Sequence, residues 1–96
     1  MDHMTAADKF RLELQLRVGR MAINTKKAME IVQLLSNGAP VWIYKRELDR
    51  LLKLVSDDNE WVYEHQFLLM ATCPEAWFAI YPKVMELRND LKEMGY

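Results

Sequence analysis

One cysteine, three glycines, three prolines and two histidines are spread over 96 residues. The single cysteine, Cys73, excludes an internal disulfide, so packing alone must hold the fold. So few glycines and prolines leave little room for sharp turns, and mostly regular structure with short connections is expected. Neither sign of charge dominates. Thirteen Lys and Arg face fourteen Asp and Glu, for a net charge of -1, and no overall field draws the chain onto nucleic acid or a membrane surface. The longest apolar run, Ala76 to Tyr81, is far shorter than the roughly 20 residues that cross a bilayer. The first eight residues lack the apolar stretch of a secretory signal. A cytoplasmic protein without a membrane partner is expected.

What the chain does have is apolar mass. Hydrophobic residues make up 51% and aromatics 10%, enough to offset chain entropy in one domain. Residues 1–8 read as a loose tail and 9–96 as a single globular domain. From Phe10 to Val18 five apolar residues alternate with four polar ones, the period of a half-buried strand. Leu, Glu, Gln and Arg favour helix, but a strand at 9–18 is the reading the alternation supports, with Gly19 as a bulge. Asn24 or Thr25 can cap a helix whose face holds Ala28, Ile31, Val32 and Leu35. Asn37-Gly38 supplies its left-handed stop. Val41-Trp42-Ile43-Tyr44 reads as a second strand. A helical stripe follows at Leu48, Leu51, Leu52 and Val55. Ser56 to Asn59 reads as a break before a helix over 60–71. Thr72-Cys73-Pro74-Glu75 has the form of a capping box with proline in the first turn. The last helix then runs to Met94, kinked or divided at Pro82. The expected fold is α+β and mostly helical, in the order β-α-β-α-α-α, with strands near 9–18 and 41–44 packed on a helical body.

The chemistry-bearing residues do not converge. Cys73 and His65 form the one conceivable nucleophile and base pair. Glu60 and Glu64 lie one turn apart, but His65 points about 100° away around a helix, so no metal set closes. No glycine-rich phosphate loop is present. The expectation is no catalytic, cofactor or metal site. Residues 34–70 resemble a winged-helix or helix-turn-helix module in Leu34-Leu35, Gly38, Pro40-Val41, Glu47-Leu48, Leu51, Val55-Ser56 and Val62. That resemblance implies a DNA-binding regulator whose recognition helix would be 60–71. Asp57, Asp58, Glu60 and Glu64 would then oppose phosphates. Arg11, Arg17, Arg20, Lys26 and Lys27 are better placed for DNA, for instance as a ribbon reader.

The preferred functional reading is a small non-catalytic regulatory or inhibitory protein that binds another protein, in particular itself as a homodimer. The candidate contacts are Trp77, Phe78, Tyr81 and Met85 on the last helix, since large apolar residues there exceed one core stripe. The edge of strand 9–18 offers further contacts, with Arg11 and Arg17 on its wet face.

Overall fold

The computed structural model describes residues 4–96, and those residues form four helices and no strand. They are α1 (Ala6–Ser36), α2 (Val41–Glu64), α3 (Gln66–Thr72) and α4 (Pro74–Glu93). The fold is a helical bundle, and the expected sheet is absent from the described residues. The first three residues of the expected loose tail lie outside that range, and Ala6 to Asp8 make the first turn of α1.

Why α1 is a helix begins at its start. The Thr5 hydroxyl accepts from the Asp8 N–H at 3.1 Å, and the Asp8 carboxylate accepts from the Thr5 N–H at 3.2 Å. This capping box satisfies two otherwise free donors. Beyond it, Phe10, Leu14, Val18 and Met21 recur at spacings of 4, 4 and 3. All four belong to the main core or pack against it. Leu12 and Leu16 lie on the other side of the helix and are exposed. The strict alternation of 10–18 is therefore two helical faces read in succession. Helix propensity and packing of the 3.6-residue stripe decide the outcome.

Two expected interruptions inside α1 do not occur. Gly19 sits in mid-helix, and a Cβ built on it meets nothing within 4 Å. Replacing Gly19 by alanine should raise stability by about 1 kcal/mol, because glycine costs that much in an exposed helix interior. Urea unfolding followed by circular dichroism checks this. A loss of stability would mean that the backbone at Gly19 touches something in solution. Thr25, a candidate cap, is also interior, and its buried Oγ1 has no hydrogen-bond partner. The real end of α1 is where Asn37-Gly38 marks it: Asn37 is the C-cap and Gly38 has φ +94°, a conformation natural to glycine.

The expected second strand is the first turn of α2, which Pro40 opens without a side-chain cap. Proline fixes an extended entry without needing an N–H partner. The expected break at 56–59 is also absent. Asp58 and Asn59 are buried within α2, because each finds a partner on another helix. The Asn59 side-chain amide donates to the Val84 carbonyl at 3.1 Å. α2 ends at His65, and the short α3 leads to Cys73, where α4 starts with Pro74 in its first turn. Thr72 does not cap α4; its hydroxyl donates back to the Leu68 carbonyl. α4 remains one helix through Pro82. Pro82 and Phe78 are both exposed, and this is the side of a helix on which a missing backbone bond is best tolerated.

α1 and α2 form an antiparallel hairpin, and α4 runs back along α2. Asn59–Val84, Glu60–Arg88 and Asp49–Tyr96 mark that antiparallel register. The main core joins Leu14 and Met21 of α1, Val55 and Val62 of α2, Leu69 of α3, and Trp77, Val84 and Leu91 of α4. A second cluster, built on Ala28, Ile31 and Leu51, contains only α1 and α2 side chains. It holds together the outer half of the hairpin. The molecule is a thin slab of 51 × 31 × 18 Å, and thinness leaves much apolar surface outside.

Candidate interaction surface

α4 presents its side chains in three ways. Trp77, at 1% exposure, is the largest fully buried side chain and belongs to the core rather than to a contact surface. The next residue, Phe78, is 63% exposed, because one step turns it about 100° away from the core stripe. Tyr81 leans edge-on against Trp77 with ring centroids 5.4 Å apart, yet its own surface is exposed. Met85 is half-buried beside it. Phe78, Tyr81 and Met85 thus share the flank of α4 next to its buried face. On α3, Phe67 at 76% and Leu68 are also exposed. Around a regular helix Phe67 lies about 140° from Val62 and about 160° from Leu69, both fully buried, so it points away from the core even without the turn at His65.

The two arginines expected to contact partners are occupied within the molecule. Arg11 donates to the Thr72 carbonyl at 3.2 Å and ties α1 to the end of α3. Arg17 is the centre of a polar cluster. Its guanidinium pairs with Glu13 at 2.8 Å and with Asp58 at 3.1 Å, and lies 5.0 Å from the Trp61 ring centroid. Arg20 adds a second contact to the same Asp58 oxygen at 2.9 Å. These residues lock α1 to α2. A lone buried carboxylate would be costly, and two guanidinium groups compensate it.

Cys73 and His65 have separate roles. Cys73 is buried. The His65 ring stacks on Trp61 at 4.2 Å, and its Nδ1–H donates to the Trp61 carbonyl at 2.7 Å. A shallow depression of about 400 Å³ between α1 and the start of α4 is lined by Arg11, Leu14, Gln15, Thr72 and Cys73, among others. No cluster of three or more potential metal ligands occurs among the described residues. None of their helices is long and apolar enough to cross a membrane.

The far end of the hairpin holds Trp42, the most exposed large apolar side chain among the described residues, at 82%. Val41, Ile43 and Leu34 are exposed with it. A sequence signal for this existed. Stepping back from Leu48, Leu51 and Val55 at helical spacing puts Tyr44 on the core side and Trp42 on the opposite side. Close by, Lys45 pairs with Asp49, and Arg50 with Glu47. The Lys45 ammonium holds the Asp49 carboxyl below the usual carboxylate range. Burial and the Asp49 charge push the Tyr96 phenol up.

No protein-family model, curated protein or solved structure shows significant similarity to this chain.

Proposed function

We propose that this is a non-catalytic regulatory or inhibitory protein that acts by binding another protein, in the simplest case a second copy of itself. The observation that carries this reading is the balance of apolar side chains. Among the described residues, more large apolar side chains are exposed than are buried. A monomer rarely leaves contiguous patches of more than a few hundred Å² in water, and larger ones mark contact sites. The surface best suited to a protein partner is the α4 flank of Phe78, Tyr81 and Met85, with Phe67 exposed on the adjoining α3. It combines aromatic and methionine side chains, which are enriched in interface cores. It also rests on Trp77, which is fixed in the core and gives the flank a rigid base.

The test is the double substitution of Tyr81 and Met85 by glutamate, with sedimentation velocity and circular dichroism on the same samples. Charges buried at an interface core are strongly unfavourable. The expected result is loss of association, by about tenfold or more in dissociation constant, with helicity retained. Association that persists in the folded variant would remove this flank as the contact surface.

A further inference from the structure

We propose that the tip of the α1–α2 hairpin is a docking site for an anionic lipid surface. It uses residues distinct from the α4 flank and stands or falls separately from the protein-binding reading. The tip ends in Leu34, Val41, Trp42 and Ile43, all exposed. Behind it the charges are one-sided. Within residues 26–53 two ion pairs, Lys45–Asp49 and Arg50–Glu47, cancel. Lys26, Lys27, Arg46 and Lys53 then remain against Glu30, and the end of α4, which the Tyr96–Asp49 hydrogen bond brings to this side, adds Lys92 against Asp90 and Glu93, so the balance stays positive. The acidic stretch 54–82 is met by basic groups of other helices, Asp58 by Arg17 and Arg20 and Glu60 by Arg88. The near-neutral total, which speaks against membrane attraction when averaged over the chain, hides the local positive excess behind the tip.

Charge selects the occupant. Two identical basic tips repel each other, so a tip-to-tip contact between copies is disfavoured, whereas a negatively charged surface is attracted. Shape narrows the choice further. The apolar side chains cap the end of a hairpin rather than line a groove or a flat face. A protein partner needs a complementary surface of about 800 Å² on each side, whereas a bilayer deforms around a wedge. Tryptophan is at home in the interfacial layer, with its ring in apolar surroundings and its N–H toward water. The spacing also fits. Arg46 follows Trp42 by one turn, about 6 Å along the axis. That places its guanidinium at phosphate level when the tip enters to the roughly 5–10 Å typical of interfacial insertion.

The experiment is co-sedimentation of the full chain with vesicles of mixed phosphatidylglycerol and phosphatidylcholine, beside vesicles of phosphatidylcholine alone. Binding is expected to the anionic vesicles and to weaken as salt screens the charges. Trp42→Ser and Arg46→Glu should each reduce the bound fraction about tenfold, while Phe78→Ser should leave it unchanged. Both tip positions are exposed, and circular dichroism confirms that the variants are folded. Failure to bind anionic vesicles, equal binding to the neutral ones, or undiminished binding by folded Trp42→Ser would each overturn the proposal. Trp42-dependent retention on immobilised polyglutamate without vesicle binding would also overturn it and point to an acidic protein instead.

Discussion

Alanine at position 77 should cost about 3–5 kcal/mol of stability, while alanine at position 78 should change it by no more than about 0.5 kcal/mol. The two residues are neighbours in sequence and both are large aromatics, so composition does not separate them. Position does. Trp77 is 1% exposed and lies in the cluster that joins all four helices. Removing its ring leaves a cavity between elements that cannot all close in on it. Phe78 faces water, and its truncation removes little that folding buried. A domain of this size has a total stability of about 5–15 kcal/mol, so Trp77→Ala consumes a large share and leaves part of the population unfolded at ambient temperature. Urea titration at low protein concentration, where association contributes little, measures both variants. Similar losses at the two positions would show that α4 is rotated about its axis from the orientation described here.

The second large effect is expected at Asp58. Its carboxylate is buried in mid-α2 and meets both Arg17 and Arg20. Asp58→Ala should destabilise the protein by about 3 kcal/mol. The substitution leaves the half-buried Arg17 with only the partly exposed Glu13, and removing one member of a buried pair costs much more than the pair itself contributes. Arg20→Ala should cost less than about 1 kcal/mol, because Arg20 is largely exposed and solvent screens its share. Replacing Asp58 and Arg17 together by leucine should restore much of the loss, since no uncompensated charge then remains. A double-mutant cycle by urea unfolding gives the coupling directly. If Asp58→Ala and Arg20→Ala prove equally mild, the carboxylate is hydrated and the cluster does not lock α1 to α2.

These two sites also show what the sequence reveals and what it hides. Local signals with a single reading are legible: Asn37-Gly38 ends α1, Pro74 opens α4, and of the stripe Trp77, Ile80, Val84, Leu87, Leu91 and Met94 along the last helix all but the exposed Met94 are buried or half-buried. The misreadings occur where a local pattern has two readings and a distant contact chooses between them. Phe10 to Val18 fits a strand by alternation and a helix by the 10, 14, 18 stripe. Only packing of that stripe on α2 and α4 decides. Ser56 to Asn59 is rich in capping residues and resembles a turn. Yet Arg17 and Arg20, some forty positions earlier, make Asp58 acceptable inside a helix, and the Val84 carbonyl does the same for Asn59. The continuous α2 also removes the separate 60–71 helix on which the winged-helix resemblance depended. On the candidate surface, Phe78 and Tyr81 were legible as residues outside a narrow stripe. Trp77 was wrongly grouped with them, although its spacing to Ile80 and Val84 already placed it on the buried stripe. Trp42 was hidden by the β-rich appearance of its neighbours.

The central claim is that folding leaves apolar surface which a protein partner covers, with a second copy as the simplest case. Its most direct test is the mass of the unmodified chain by light scattering across a wide concentration range. The account predicts a rise from the 11.4 kDa of one chain toward twice that value, with the exposed aromatics of α3 and α4 protected in the larger species. A mass that stays at one chain throughout, in a folded sample that also fails to bind a hydrophobic dye, would contradict it.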